Sequence, residues 1–247
     1  MSAVESGAGL PAKEPTILIV CTANLCRSPA AEFLLRNMLG ANGADLRIDS
    51  AGTAAADGAP IDPVMDELLN GRGFDTAGFR SRPVSRELLA SADLILTAAA
   101  NNGAAVGRLL PATVRRTLTL KKLARYAPFI ATSGEPPASG ADRIAWLLSA
   151  VPRARARPSG TRHGNDDIAD PIGLPRRRYV LALAEIERAC AAIAPLLRTG
   201  LVSQNPEQPR PTNHAVDLPE HQPEGTWLKR PGDPPQAARS FFDWAFK

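Results

Sequence analysis

The sequence predicts an α/β fold, a doubly wound four-stranded parallel sheet with helices on both faces. One pattern in the sequence supports this prediction. Short apolar runs of strand length alternate along the chain with segments whose apolar residues recur at helical spacing, and such alternation is typical of parallel sheets covered by helices. Ligands in these folds bind beyond the carboxyl ends of the strands. The predicted strands are Ile17–Val20, Leu46–Ser50, Leu94–Thr97 and Thr117–Leu120.

The helices are predicted from apolar spacing together with residues that begin or end helices. Pro29 stands in a first-turn position, Asp62-Pro63 can begin a helix and Ser85 can cap one. We expect Pro195 to end or kink the last helix, and Cys190 on its apolar face to be a small core residue. The predicted helices are Ala30–Leu39, a segment from Asp62-Pro63 to Gly71 or Gly73, Arg86–Ala90, Ala104–Leu110, a patch at Ile144–Val151 and a last helix from about Arg176.

Composition limits the classes of protein to consider. The chain has 247 residues, of which 44% are hydrophobic and 5% aromatic, so it can form one substantial domain with a core of aliphatic residues. A net charge of +4 does not argue for a nucleic-acid or membrane partner. Three cysteines cannot form a disulfide framework, and no segment has the length of a membrane span or the pattern of a signal peptide. We therefore expect a cytoplasmic protein.

Three regions differ in composition. Residues 1–15 are small and polar and are predicted to be a disordered leader, while residues 16–198 contain all the predicted strands and helices. Residues 199–247 are Pro-rich and predicted to be disordered, although they end in an aromatic cluster, Ser240–Lys247. The arginines between the last two helices are expected to form a solvated surface or, alternatively, a positive rim that attracts phosphorylated substrates: Arg153, Arg155, Arg157 and Arg162.

The most informative stretch is Val20–Pro29, which joins the first predicted strand to the first predicted helix. Backbone N–H groups at a helix N-terminus form an anion site, and a thiol in that field, here Cys21, ionises more easily. Arg27 adds a planar guanidinium that can bind two phosphate oxygens. A thiolate that faces a bound phosphate indicates phosphoryl transfer through a cysteinyl-phosphate. Cys21 and Cys26 have no nearby histidine or further cysteine to complete a metal site.

The string C-T-A-N-L-C-R-S-P resembles the phosphate-binding loop of the low-molecular-weight protein tyrosine phosphatase family, and D-S-A-G-T after the second strand is a frequent family string. The resemblance implies catalysis without metal or cofactor, with Cys21 as nucleophile and Ser28 donating its hydroxyl to the Cys21 thiolate. It also implies a left-handed conformation at Asn24. Ala23 stands where most members have glycine, so a positive φ there would strain the loop. The residues implied to bind phosphate are Thr22, Ala23, Asn24, Leu25, Cys26 and Arg27.

The resemblance also implies a general acid. The family carries it as the aspartate of a D-P dipeptide before the last helix, which here is Asp170 before Pro171. Cleavage of a phosphate ester needs a proton on the leaving oxygen, and a loop carboxyl that faces Cys21 can deliver it. Asp166 and Asp167, which precede this dipeptide, are expected to be surface charges.

Several alternatives remain open at this stage. Phosphotyrosine proteins are the expected substrates, and Leu25 favours this choice because the related arginine phosphatases have threonine there; Ile172-Gly173, however, replace the aromatic residues that often follow the D-P. Two other hypotheses are an arsenate reductase and a non-catalytic phosphopeptide-binding module. Cys26 is expected to protect the Cys21 thiolate by forming a disulfide under oxidation, as the paired cysteines of the family do. Phe79 replaces a histidine that ties down the loop in many members.

Overall fold

A single sheet of four parallel strands lies at the centre of the computed structural model, which describes residues 13–156 and 165–199. The spatial order is β2-β1-β3-β4, so β2 and β4 are the edge strands. This arrangement confirms the predicted parallel sheet. The strands are β1 (Thr16–Cys21), β2 (Arg47–Gly52), β3 (Leu94–Thr97) and β4 (Thr117–Thr119).

Seven helices are found among the described residues, with two short 3-10 segments at Gly40–Gly43 and Pro111–Arg116. Asp62 accepts hydrogen bonds from the backbone N–H groups of Val64 and Met65, and Ser85 accepts one from Leu88, so both predicted helix starts are confirmed. The helices are α1 (Arg27–Leu39), α2 (Pro63–Asn70), α3 (Arg86–Ser91), α4 (Ala100–Leu109), α5 (Leu120–Ala131), α6 (Gly140–Ala156) and α7 (Arg176–Leu197).

Alternating side chains of β1 separate two apolar clusters, one on each face of the sheet. Ile17 and Ile19 belong to the larger cluster, which helices α1, α2, α5, α6 and α7 cover. Leu18 and Val20 point to the opposite face and pack with residues of α3 and α4. Because successive strand residues point to opposite faces, a continuous apolar run such as that of β1 requires cover on both sides. The predicted doubly wound architecture is therefore confirmed.

Helix α5 corrects the sequence prediction, which extended the fourth strand through Leu120 and placed no helix there. The Thr119 hydroxyl accepts a hydrogen bond from the Lys122 backbone N–H at 3.1 Å, so the chain turns into a helix as soon as β4 ends. The buried face of α5 has helical spacing, yet Pro128 inside the helix masks that pattern. The buried residues of α5 are Leu120, Leu123, Tyr126, Ala127 and Ile130.

The structure excludes one of the two outcomes predicted for Pro195, namely that it ends α7. The helix continues to Leu197. A proline near a helix end removes one backbone hydrogen bond, and the burial of Leu196 and Leu197 holds the last turn against the core. Cys190 is fully buried on the same helix, and burial raises the pKa of its thiol to about 12, so it is the core residue that we predicted.

Several predictions fall outside the described residues. These are the leader up to residue 12, the tail from residue 200 with its aromatic cluster, and Arg157 and Arg162. Arg153 and Arg155, at the end of α6, are exposed as expected. None of the helices described is long and apolar enough to cross a membrane.

Candidate active site

The loop between β1 and α1 lies at the carboxyl edge of the sheet. Strand β1 ends at Cys21, and α1 begins six residues later at Arg27 with Cys26 at its N-cap position. No side chain caps this helix, so no side chain competes with a ligand for its first backbone N–H groups. A helix end of this kind is suited to an anion.

The Cys21 thiol is buried and receives two hydrogen bonds. The Asn24 backbone N–H donates to the sulfur at 3.3 Å, and the Ser28 hydroxyl lies 3.1 Å from it. The position of Ser28 is the one that the loop pattern implied. Both donors stabilise negative charge on the sulfur, which is the state in which a thiol acts as a nucleophile.

The side chain of Asn24 holds the loop in shape. Its backbone has a φ of 56°, the left-handed conformation that we expected. Its amide nitrogen donates to the hydroxyls of Ser28 and Ser50, each at 2.9 Å, and its amide oxygen accepts from the Arg82 backbone N–H at 3.0 Å. Both the nitrogen and the oxygen of this fully buried amide therefore have hydrogen-bond partners. The network holds the loop in one conformation.

Two expected weaknesses of the loop are absent. Among the described residues Asn24 is the one non-glycine residue with a positive φ, so Ala23 is not strained. Phe79, in place of the family histidine, packs against Phe33 with the ring centroids 6.3 Å apart, and the backbone of Arg82 supports the loop instead. The sequence analysis did not identify Ser50 and Arg82 as loop supports, although Ser50 lies in the D-S-A-G-T string.

The segment that follows β2 clamps the loop from the other side. The backbone N–H groups of Thr53 and Ala54 donate to the carbonyls of Cys21 and Thr22 at 2.9 and 2.8 Å. This close approach requires glycine at position 52, because a Cβ atom there would lie 2.6 Å from the Thr22 carbonyl oxygen.

Arg27 and Asp170 meet next to this loop. The Arg27 guanidinium is buried, donates to the Ile168 carbonyl at 3.2 Å and forms an ion pair with the Asp170 carboxylate. The side chain of Asp170 is 43% exposed, so it can also face a ligand. The structure therefore brings the predicted acid to the loop that contains Cys21, across 143 residues of sequence.

Asp166 and Asp167 are not the free surface charges that we expected. Both are half-buried. The Asp167 carboxylate accepts a hydrogen bond from the Ala100 backbone N–H at 2.7 Å, at the start of α4, and Asp166 pairs with Arg125 of α5 at 2.9 Å. These carboxylates are held because the first backbone N–H groups of a helix and guanidinium groups need acceptors. They tie the segment that carries Asp170 to two helices.

Thr22 and Leu25 anchor the ends of the loop. The Asn102 side chain, which is buried in the first turn of α4, donates to the Thr22 hydroxyl at 3.1 Å. The Leu25 carbonyl accepts from the Asp62 backbone N–H at 2.8 Å. The side chain of Leu25 is half-buried, so part of it can contact a ligand.

Cys26 is buried, and its pKa is raised well above the ordinary value. The main cause is burial, followed by the nearby Cys21 and Asp62. Cys26 therefore keeps its proton at neutral pH, unlike a catalytic thiol. Nowhere in the described segments do three or more His, Cys, Asp or Glu side chains form a group that could hold a metal ion.

An aliphatic rim follows Asp170. Ile172 and Leu174 are exposed large apolar residues. The Gly173 backbone N–H donates to the Tyr179 hydroxyl, which lies 3.2 Å from an Asp62 carboxylate oxygen, so α7 and α2 hold this rim in place. An exposed apolar pair beside an anion site is suited to a substrate with a hydrophobic group next to its phosphate.

The structure is that of a doubly wound α/β protein with a buried cysteine and a buried arginine in the loop at the carboxyl edge of its sheet. The family model for low molecular weight phosphotyrosine protein phosphatase matches residues 16–134. The low molecular weight protein-tyrosine-phosphatase Ptp of Acinetobacter johnsonii is 34% identical over 104 residues, which is 42% of this chain and 70% of that protein. The chain belongs to the low molecular weight phosphotyrosine protein phosphatase family, as its loop predicted.

Two further comparisons show how much of the chain is similar to known proteins. The probable low molecular weight protein-tyrosine-phosphatase EpsP of Ralstonia nicotianae is 41% identical over 81 residues, 33% of this chain, and the chain spans about half, 53%, of EpsP. The structure of the YwlE arginine phosphatase from Geobacillus stearothermophilus superimposes with a TM-score of 0.53 at 27% identity, over 73% of this chain and 90% of that one. Asp170 lies beyond the residues that the family model matches, so the case for it as the general acid depends on its position next to Arg27.

Proposed function

We propose that this protein is a protein tyrosine phosphatase that hydrolyses phosphomonoesters through a cysteinyl-phosphate at Cys21. The observation that carries the proposal is the meeting of Arg27 with Asp170 beside the Cys21 loop. Nucleophile, anion-binding group and proton donor are then within one site, which is the set that such a reaction needs.

In the first proposed step, the Cys21 thiolate attacks phosphorus and the bond to the leaving oxygen breaks. Arg27 and the backbone N–H groups of the loop bind the non-bridging oxygens and stabilise their charge in the transition state. Asp170 gives its proton to the leaving oxygen, so that an alcohol or phenol departs instead of an anion.

In the second step, water attacks the phosphorus of the cysteinyl-phosphate. Asp170, now a carboxylate, accepts a proton from this water, and the bond between sulfur and phosphorus breaks to release inorganic phosphate. The donors at Asn24 and Ser28 stabilise the departing Cys21 thiolate. The residues proposed to surround the phosphate are Thr22, Ala23, Asn24, Leu25, Cys26 and Arg27.

For the substrate we propose phosphotyrosine in proteins. Ptp and EpsP are described as tyrosine phosphatases, and the aliphatic side chains of Leu25, Ile172 and Leu174 offer a hydrophobic surface to a phenyl ring. The structural similarity to an arginine phosphatase makes phosphoarginine the competing substrate. A reducing, cytoplasmic setting is part of the proposal, because the three cysteines, Cys21, Cys26 and Cys190, are all free.

The test measures p-nitrophenyl phosphate hydrolysis by the purified full-length chain. We expect activity that persists in EDTA, stops with orthovanadate and is lost in Cys21→Ser, since a hydroxyl is a far weaker nucleophile. Cys190→Ala is the matched control and should keep its turnover. Paired peptides with phosphotyrosine or phosphoarginine then identify the substrate, and phosphotyrosine should be preferred.

A Cys21→Ser variant with turnover near that of the parent would contradict the covalent mechanism. An inactive parent that still binds phosphotyrosine peptides would make the protein a binding module. Arsenate reduction with a thiol donor would instead support the redox alternative, which Cys190 serves poorly because it is buried in the core.

A further inference from the structure

A cavity separate from the candidate active site lies beside β4, at the edge of the sheet opposite β2. No residue of the Cys21 loop lines it. It has a volume of about 980 Å³ and lies between the edge strand β4, the preceding 3-10 segment Pro111–Arg116 and helices α5 and α6. We call it the β4–α6 groove. Its volume is at the upper end of the range for small-molecule pockets, about 300–1,000 Å³.

The charge of this groove has one sign. Its described lining includes four cationic side chains and no carboxylate: Arg115, Arg116, Lys122 and Arg155. Arg115 and Arg155 are exposed and have no ion-pair partner within the part of the chain that the structure covers. The Lys122 ammonium is 3.9 Å from Asp166, a long contact for an ion pair. The groove therefore presents a positive potential to solvent.

Apolar side chains lie between these charges. Val114 is 62% exposed, the most exposed of the large hydrophobic residues in the described segments. Leu148 and Val151 of α6 and Tyr126 of α5 line the groove with it. An exposed apolar surface surrounded by charged residues is typical of an interaction site.

We infer that the β4–α6 groove is a docking site for an acidic peptide segment of a partner protein, with bulky apolar residues between its carboxylates. Charge complementarity selects an anionic partner. The four cations come from three different elements around the groove, which suits carboxylates spaced along a chain better than a single small anion. An edge strand beside an apolar groove is a setting in which extended peptides bind.

The test selects ligands from a displayed library of random dodecapeptides, with the full-length chain as bait. Selected peptides should be enriched in Asp or Glu together with Leu, Ile, Phe or Trp. Their dissociation constants, measured by fluorescence polarisation, should rise by about tenfold or more in Val114→Glu and in Arg155→Glu. Val114→Glu replaces an apolar contact with a negative charge, and Arg155→Glu replaces a cation that would attract the carboxylates of the peptide. Both positions are exposed, so the variants should fold.

The matched controls are Leu181→Glu and Arg188→Glu, which make the same kinds of change at exposed positions of α7 outside the groove. Their dissociation constants should stay within roughly twofold of the parent value. Hydrolysis of p-nitrophenyl phosphate, if present in the parent, should be unchanged in all four variants, so this test is independent of the proposed phosphatase activity.

Three results would overturn the inference. One is a selection that yields no peptide whose binding depends on Val114 and Arg155. Another is enrichment of peptides without acidic residues. A third is that binding of phosphatidylglycerol vesicles depends on Val114 and Arg155 whereas binding of the selected peptides does not. That result would assign the groove to an anionic lipid surface.

Discussion

The proposed role of Asp170 can be separated from its structural role by the choice of leaving group. We expect Asp170→Asn to lower the turnover of phenyl phosphate by about a hundredfold or more, the usual size of general acid catalysis. The loss with p-nitrophenyl phosphate should be smaller, because p-nitrophenolate departs without a proton. Steady-state kinetics on both substrates measure the difference.

Asp166→Asn provides the control for that measurement. Asp166 lies in the same segment and is paired with Arg125 at 2.9 Å, so its loss disturbs the segment without removing the proposed acid. Its loss with phenyl phosphate should exceed its loss with p-nitrophenyl phosphate far less than in Asp170→Asn, because the acid itself is still present. Equal losses on both substrates in Asp170→Asn would remove Asp170 from the acid role.

Cys26 is expected to make oxidation of Cys21 reversible. Peroxide converts the Cys21 thiolate to a sulfenic acid. The Cys26 thiolate can then attack that sulfur, forming a disulfide and displacing hydroxide, which takes up a proton from solvent to become water. Because burial raises the pKa of Cys26, its thiolate fraction and the rate of this step should increase with pH. Activity recovered by dithiothreitol after a peroxide pulse should therefore be greater at pH 9 than at pH 7 by roughly several-fold.

The variant Cys26→Ala should recover less activity than the parent at both pH values. Cys190→Ala, which removes a buried thiol from α7, should recover as the parent does. A Cys26→Ala protein that recovers as completely as the parent would leave Cys26 with a packing role alone.

At the scale of elements, the start of α4 connects both halves of the candidate site. The Ala98 backbone N–H donates to the Val20 carbonyl, and the Asn102 amide to the Thr22 hydroxyl, so this junction contacts the Cys21 loop. It also holds the segment with Asp170, since Ile168 donates to the Ala98 carbonyl and Asp167 accepts from Ala100. The spacing between nucleophile and acid therefore depends on this helix start.

Removal of the Asp167 carboxylate should affect both stability and catalysis. We expect Asp167→Ala to lower the free energy of unfolding by about 1 kcal/mol, the usual effect of a lost helix cap. Because the segment that carries Asp170 is then less well held, turnover should fall further with phenyl phosphate than with p-nitrophenyl phosphate. Denaturant unfolding and steady-state kinetics on the same preparations give the two quantities.

Ser85→Ala is the matched control, because Ser85 caps α3 through a 3.2 Å hydrogen bond from Leu88 and is not part of the site. It should show a similar loss of stability with unchanged kinetics on both substrates. If the two variants show the same kinetics, Asp167 acts only as a cap.

The elements that the sequence predicted are those with local signals. The cap at Ser85 and the buried spacing of α7 depend on residues within one helix, and both are found where we predicted them. Helix α5 was missed because its capping residue, Thr119, is also the last residue of β4, and because Pro128 interrupts the helical pattern. That helix is held by packing against α7, a contact that a local pattern does not contain.

The same distinction applies to the site. The pattern predicted Cys21 and Arg27 on either side of a turn between a strand and a helix, and they are found there, because strand, turn and helix start are contiguous in sequence. The supports from Arg82 and Asn102 depend on hydrogen bonds across 58 and 80 residues. A single sequence carries no signal for such pairs, whereas Gly52 could have been suspected from its place in the D-S-A-G-T string.

At the scale of the whole molecule, the described residues contain every group of the proposed mechanism. Helix α7 completes the larger apolar cluster, and Thr199 donates its backbone N–H to the Asn42 carbonyl at 2.9 Å. We expect a chain that ends at Thr199 to fold and to keep the turnover and Michaelis constant of the full chain on p-nitrophenyl phosphate. This result would support the predicted boundary near residue 198.

A chain that ends at Arg188 is the control, because it lacks Ile193, Leu196 and Leu197, which are all buried. It should fail to fold, since loss of several buried aliphatic side chains costs more than the usual stability of a domain. Circular dichroism and thermal unfolding compare the two chains. A severalfold change in either kinetic constant of the Thr199 chain would give the C-terminal region a role in catalysis.

The ion pair between Arg27 and Asp170 bears on how phosphate would bind to the proposed site and leave it. An anion that enters the proposed site would compete with the Asp170 carboxylate for the Arg27 guanidinium, and the carboxylate would pair with Arg27 again when the anion leaves. In the proposed mechanism, Asp170 is therefore an internal competitor of inorganic phosphate. It would favour release of this product and would also lower the affinity for the substrate.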